Sequence, residues 1–252
     1  MAVLREIVQR APDHTLVPIS RTPGTGGRTG DFDRPETLAA AFGGLDRLLL
    51  IPSADLRPGA IGAQLIAAVD AAIAAGVGHV FLLSSVKATS SVPSHLADAF
   101  RQAEERVRRA PRWTILRMGY FQETLVEEAL RGGTLLAIAE NDVAFVSRDD
   151  VAVALAGAIV GDGHAGATYD LSGPRTYSGA ERAAAVAAAT GTPVTFSAVG
   201  ADALREMLAV MNLPGFLVDE LVAMQARFVA GDYARVTDDV ARLAGTPARA
   251  IG

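Results

Sequence analysis

Apolar residues near the start of the chain fall at Val3, Leu4, Ile7 and Val8, with Arg5, Glu6, Gln9 and Arg10 between them, a spacing that predicts an amphipathic helix. The run from Thr15 to Ile19 predicts a strand ending in Ser20-Arg21-Thr22-Pro23. After a glycine-rich stretch, Asp33 and Glu36 have the spacing of a capping box, with Pro35 in the first turn of a second helix that Gly43-Gly44 ends. Arg47–Pro52 is continuously apolar, as expected of a strand covered on both faces. Ile61, Leu65, Ile66, Val69 and Ile73 stripe a helix that stops at Gly76, and His79–Leu83 forms the next buried strand, closing on Ser84-Ser85. A helix over about 96–109 leads to a strand at Trp113–Leu116.

Strict alternation of helix and strand with short connections predicts an α/β fold, a Rossmann-like doubly wound parallel sheet, here opening on a helix. Beyond residue 120 the rhythm loosens. Ser147 with Asp150 and Ser178 with Glu181 repeat the capping-box spacing ahead of Ala/Val-rich helices. Tyr169–Ser172 and Val194–Val199 read as short strands, residues 202–229 as two helical stretches broken at Pro214-Gly215, and residues 237–244 as a last helix. The reading is one domain over residues 1–252. Residues 1–120 form a nucleotide-binding core, and residues 121–252 mix completion of that core with a small C-terminal α/β lobe.

Composition narrows the chemistry. Cysteine is absent, which excludes thiol catalysis, disulfides and cysteine-based zinc sites, and the four histidines (His14, His79, His95, His164) form no H-x-x-x-H pair, so no metal is expected. The net charge of −5 and the lack of a basic run argue against a nucleic-acid partner. No apolar stretch reaches the roughly 20 residues of a spanning helix, and no leader pattern opens the chain, so the expectation is a cytoplasmic protein without a membrane partner. Lys87 is the single lysine in an arginine-rich chain.

In open α/β sheets, ligands gather at the carboxyl ends of the strands. That directs attention to Ser20–Pro23, Pro52–Asp55, Ser84–Lys87 and Arg117–Phe121. Arg21 stands where a dinucleotide fold separates NAD from NADP, and a guanidinium there can pair with a 2′-phosphate or simply be a solvated surface arginine. Gly24-Thr-Gly-Gly-Arg-Thr-Gly30 follows a strand, but Asp31-Phe32 separates it from the helix start, so it reads as a connection and not as a phosphate loop. Ser84 and Ser85 could face a ligand or cap local backbone. None of the tyrosines (Tyr120, Tyr169, Tyr177, Tyr233) has a lysine four residues later, which disfavours a carbonyl reductase using a tyrosine–lysine acid. No catalytic residue is assigned. Met207, Met211, Phe216, Met224 and Phe228, spread over two helices, are candidates for the apolar lining of a substrate pocket, with core packing as the competing reading.

On Gly30-Asp-Phe-Asp-Arg-Pro-Glu-Thr-Leu, Gly44-Leu-Asp-Arg-Leu-Leu-Leu-Ile, Ala75-Gly-Val-Gly-His-Val, Trp113-Thr-Ile-Leu-Arg-Met-Gly-Tyr-Phe-Gln-Glu and the tail from Ala234, the chain resembles the NmrA-like family of atypical short-chain dehydrogenases, within it the NAD(P)H:quinone oxidoreductase type. The resemblance implies an NADP-preferring (or NAD-using) domain. Arg21 would then bind the 2′-phosphate, and Asp31 and Phe32 would border the adenine. Ser53, Ser84 and Ser85 would line the cofactor cleft, with Gly119, Tyr120 and Phe121 beside the nicotinamide and substrate. It implies hydride transfer to a small molecule of quinone type. Readings of a non-catalytic dinucleotide-binding redox sensor and of a cofactor-free pseudoenzyme stay open, as does homodimerisation.

Two features depart from the family pattern. Ala99-Phe100 stands where quinone reductases of this type carry Glu-His, although Glu104 is kept. The family's opening strand and G-x-x-G-x-x-G loop precede the helix on which this sequence opens. The strands at 15–19 and 47–52 would each lose a neighbour without that strand. The expectation is therefore either an upstream start, with Met1 misassigned, or direct pairing of those two strands.

Overall fold

The computed structural model describes residues 2–252. Met1, on which the expectation of an upstream start turns, lies outside the described residues. In chain order the elements are α1 (Ala2–Arg10), β1 (Ile19–Ser20), β2 (Arg28–Thr29), a 3-10 turn at Pro35–Thr37, α2 (Leu38–Phe42), β3 (Arg47–Leu50), α3 (Ala60–Ala74), β4 (His79–Ser85), a 3-10 turn at Val86–Thr89, α4 (His95–Val107) and β5 (Trp113–Met118). They continue with β6 (Tyr120–Phe121), α5 (Gln122–Gly132), β7 (Thr134–Ala137), β8 (Val143–Val146), α6 (Arg148–Val160), β9 (Ala167–Leu171), β10 (Thr176–Tyr177), α7 (Gly179–Thr190), β11 (Thr195–Ala198), α8 (Ala201–Ala209), α9 (Gly215–Val229) and α10 (Asp239–Ala244).

The main sheet is parallel, in the order β3-β4-β5-β9. Every residue of β4 is buried, with Val80 and Leu82 in the cluster under α2, α3 and α4, and Phe81 and Leu83 in the cluster under α6 and α10. Alternate residues therefore enter two different cores, which is why the strand sequences are continuously apolar. Helices α1 and α10 both pack on α6. In α1 the structure buries Ile7 but leaves Val8 54% exposed, so the apolar stripe is narrower than its spacing suggests.

The strand foreseen at 15–19 is short and pairs elsewhere than expected. Ile19–Ser20 lies parallel to Arg28–Thr29, in a two-stranded sheet of its own. Direct pairing with β3, one of the two expected outcomes, does not occur. Among the described residues no strand lies between β1 and β3. A cavity of about 440 Å³ occupies that place.

The helix expected from Asp33 also starts differently. The first turn is 3-10, its cap residue is Arg34, and no side chain caps it. The Asp33 carboxylate instead accepts from Gln64 Nε2 at 2.8 Å, and its amide donates to Asp31 Oδ1. Ser178 and Glu181 do form a complete capping box. Ser147 caps α6 through the Asp150 amide, while the Asp150 carboxylate is held by Arg249. Helix α5 and strands β2, β6, β7, β8 and β10 were not foreseen. The break at Pro214-Gly215 separates α8 from α9 as expected.

Glu104 of α4 locks the centre of the sheet. It is 3% exposed and accepts from Arg117 Nε and Nη2, at 2.8 and 2.7 Å, together with the Ser84 hydroxyl at 2.7 Å. Burial alone would raise this carboxyl; Arg117 and Ser84 outweigh burial and hold it below the ordinary carboxylate range. A depressed carboxyl stabilises the fold above its unfolded pKa, and that contribution is lost as the pH falls through the folded value. Glu104→Gln should cost about 3 kcal/mol at neutral pH by removing the buried charge that Arg117 faces, with Asp170 at 3.6 Å as the remaining carboxylate beside it. It should also flatten the loss of stability below pH about 4; urea melts across pH check both, and an unchanged acid limb contradicts the assignment.

Helices α6 and α10 meet at Gly157, where an added Cβ would lie 1.9 Å from the Leu243 carbonyl oxygen. Gly157→Ala should lower stability by about 3 kcal/mol, since backbone must move to admit the methyl group. Gly24→Ala, at a position with open space around it, should stay within about 0.5 kcal/mol in the same melts.

Candidate functional site

The carboxyl ends of β3, β4 and β5 lie along one edge of the main sheet, because these strands pair in parallel, while β1 leads into β2 in a sheet of its own. The Arg21 side of this edge is built by the β1–β2 connection. Gly27 donates its amide to Gly24 O, and Arg28 donates to Pro18 O. A Cβ at Gly27 would stand 2.8 Å from Pro18 O, and one at Gly30 2.6 Å from the Ile19 side chain. These glycines are thus consumed by close backbone packing within the connection. The run sits between two strands and not at a helix N-terminus.

Arg21 is exposed and has no hydrogen-bond or ion-pair partner among the described residues. Close by in sequence, Asp31 and Arg34 form an isolated bridge, and Thr37 Oγ1 accepts from the Asp31 amide. Phe32 packs partly buried against the core under α2 and α3. Ser53, just beyond β3, donates to Gln64 Oε1 at 2.5 Å, and Gln64 in turn donates to Asp33. One buried glutamine therefore couples the loop after β3 to the turn after β2, a link with no signal in spacing or composition.

At the end of β4 the two serines diverge. Ser84 is fully buried and spends its hydroxyl on Glu104. Ser85 caps the following 3-10 turn by accepting from the Lys87 amide at 3.3 Å. The Lys87 side chain is 11% exposed, its ammonium 3.2 Å from Glu220 of α9. Burial lowers the Lys87 pKa, and Glu220 opposes that shift. Arg227, with no exposed surface, shares the same Glu220 carboxylate at 3.1 Å. This network fastens α9 to the end of β4, and sequence reasoning missed it because its members lie 133 and 7 positions apart.

Beyond β5, the Gly119 amide donates to Leu171 O, and a Cβ there would approach that oxygen to 3.1 Å. Tyr120 turns into an aromatic cluster, edge-on to Phe228 at 5.1 Å and to Phe145 at 5.9 Å. Its hydroxyl donates to Glu128 Oε1. Burial first, and then the Glu128 charge, push the Tyr120 hydroxyl well above its ordinary value. Burial raises the Tyr233 phenol too. Phe121 instead faces the cavity beside β3, under the Arg148 guanidinium.

The five candidate lining residues differ in their surroundings. Phe228 is buried against Tyr120, and Met224 packs partly buried on the same cluster. Phe216 lies edge-on to His95 at 6.3 Å. Met207 and Met211 are 45% and 61% exposed on and just after α8, where neither joins the aromatic cluster.

With this geometry in view, the likeness to known proteins becomes informative. Residues 6–161 match the family described as NAD(P)H-binding. The chain is 29% identical over 225 residues to an NAD(P)H azoreductase of Xenophilus azovorans, covering 87% of this chain and 78% of the relative. It is 27% identical over 259 residues to quinone oxidoreductase 2 of Escherichia coli strain K12, covering 97% and 90%. The crystal structure of the NADPH-dependent quinone oxidoreductase QOR2 from Escherichia coli, complexed with NADPH, superposes with a TM-score of 0.88 at 26% identity, over 99% of this chain and 92% of that one. Matched over more than half its length and built on the same parallel sheet, the chain belongs to the NAD(P)H-binding family.

Proposed function

We propose that the protein is an NAD(P)H-dependent oxidoreductase that passes hydride to a small quinone-like acceptor, with NADPH as the preferred donor. The observation that carries this reading is the state of the acidic groups at the strand ends. Tyr120 is bonded to Glu128, and Tyr233 is buried. Lys87 is tied to Glu220. Among the described residues none of these presents a free proton donor at the carboxyl ends of β4 and β5. A carbonyl substrate needs such a donor as its alkoxide forms, whereas a quinone accepting hydride becomes a hydroquinone anion that takes its proton from water. The balance is NADPH, quinone and one proton giving NADP⁺ and hydroquinone. What the protein supplies is orientation of donor and acceptor.

The residues present fit the adenosine half of such a cofactor. Arg21 offers an exposed guanidinium without a protein partner, and Asp31 and Ser53 stand at neighbouring strand ends. Ser85 and Gly119 would border the nicotinamide, which supplies the hydride when bound. The matched relatives support the same reading: one is named as an NAD(P)H azoreductase and another as a quinone oxidoreductase.

The test is NADPH oxidation followed at 1:1 stoichiometry with menadione and a short-chain ubiquinone, alongside an aliphatic ketone as a control. Turnover of the quinones alone is expected; turnover of the ketone alone would overturn the assignment. Arg21→Ala should raise the Kd for NADPH by about 10- to 150-fold, the loss of one charge-assisted contact worth roughly 1.5–3 kcal/mol. The Kd for NADH should stay nearly unchanged. Equal losses in calorimetric titrations with the two cofactors would remove Arg21 from the role.

A further inference from the structure

A small cavity of about 60 Å³ lies where β5 and β9 end, beneath the chain that follows α9. Thr89 and Arg235, both exposed, line it on the solvent side. Gly119 and the buried Tyr233 line it on the inner side, next to the place given above to the nicotinamide. Asp170 and Asp232 complete its polar wall. A water needs about 10–15 Å³ of such space and two or more polar partners, so the cavity has room for several.

The polar groups along it are oriented for water. Tyr233 is 4% exposed, and among the described residues no protein acceptor meets its hydroxyl proton. Its ring is fixed edge-on to Tyr120 and Phe228, at 6.2 and 5.2 Å. The Ser85 hydroxyl lies beside the phenol and opposes the rise that burial imposes on it. Ser85 Oγ already accepts from the Lys87 amide, so its own proton is the one it can offer to Tyr233. A phenol so reluctant to ionise keeps its proton and holds a water with it. Across the cavity, Asp232 accepts from the Ser90 hydroxyl at 2.5 Å and has no cation beside it among the described residues. Asp170 differs: Arg235 binds one carboxylate oxygen at 2.8 Å, and Arg117 stands 3.6 Å from the other. The wall therefore keeps one unbalanced negative charge, at Asp232, which favours an excess proton nearby. An apolar group seated here would leave the Tyr233 hydroxyl and the Asp232 carboxylate without partners, which burial penalises.

We propose that this cavity is a water-filled passage that carries solvent protons to the acceptor, with Tyr233 and Asp232 as positioning residues that hold its waters. The proposal rests on the quinone-reductase reading, in which water protonates the hydroquinone anion. That anion's oxygen takes a proton from the innermost water as its O–H bond forms. Each water is restored by the next, and the outermost draws a proton from solvent beside Thr89 and Arg235. One solvent proton is consumed per hydride, and the waters are unchanged. A passage separate from the acceptor's own entrance lets the site stay closed around donor and acceptor while the proton arrives.

The experiment measures menadione reduction by the wild-type protein, Tyr233→Phe and Asp232→Asn, each with NADPH or NADPH deuterated at the transferred position, in water and in heavy water. Both variants should lower kcat by about tenfold to a hundredfold, with the KM for menadione and the Kd for NADPH nearly unchanged. In both, the solvent isotope effect on kcat should rise and the effect of the deuterated cofactor should fall toward unity, as proton delivery becomes slower than hydride transfer. A merely structural loss would leave the two isotope effects in their wild-type proportion, and that result would overturn the proposal. So would variants that reduce menadione at the wild-type rate, which leaves the quinone-reductase reading intact. A high-resolution crystal structure should show ordered waters joining Tyr233 and Asp232, and a dry cavity would overturn the proposal whatever the turnover. Failure of the wild-type protein to reduce any quinone would instead overturn the reading itself, and the proposal with it.

Discussion

A parallel strand buried on both faces meets no water along its edges, so its backbone must find another strand on each side. Most of this molecule follows from that constraint. β4 and β5 satisfy it completely, each paired on two sides and each sending alternate side chains into two cores. Their rigidity is reinforced by Glu104, which binds Arg117 of β5 and Ser84 of β4 at once from α4. The Ser85 and Gly119 turns are therefore held in fixed relation, as a site that works by orientation requires.

Where the constraint is only half met, between β1 and β3, the structure changes character. The walls are apolar, Leu49 is only half-buried and Ile51 is exposed. Gln64 is the principal bridge on the ligand-facing edge, linking Ser53 beyond β3 to Asp33 beyond β2. Arg47 plays the corresponding part at the opposite end by stapling β3 to the end of α6. The C-terminal lobe is attached by a third polar device, the shared Glu220 carboxylate between Lys87 and Arg227. Removing Glu220 would leave both Lys87 and Arg227 without that carboxylate, so the lobe is held by this polar contact as well as by apolar ones.

The main parallel sheet was legible in the sequence because both-face burial writes itself as uninterrupted apolar runs, as in Arg47–Pro52 and His79–Leu83. Helix ends were legible where a side chain served the helix alone, as at Ser178 and Glu181. They misled where the same residue had a tertiary partner: Asp33 looks like a cap but is taken by Gln64. Strands of two to four residues, such as β6, β8 and β10, are too short to show a period. Within the candidate site, Arg21 and Ser85 could be placed from strand ends. The burial of Ser84 and of the Tyr120 hydroxyl could not, because both are decided by residues of other elements, Glu104 and Glu128. The exposure of Met207 in α8 and of Met211 just after it could not be read from residue type, because it depends on what the helix packs against.

The account's central claim is that the strand ends of β1, β3, β4 and β5 together form one dinucleotide surface. A crystal structure of the protein grown with NADPH tests it most directly. The account predicts the adenosine ribose beside Arg21 and Asp31, with the nicotinamide lying between Ser85 and Gly119. A dinucleotide bound elsewhere, or with its adenosine end at the β5 side of the sheet, would contradict it.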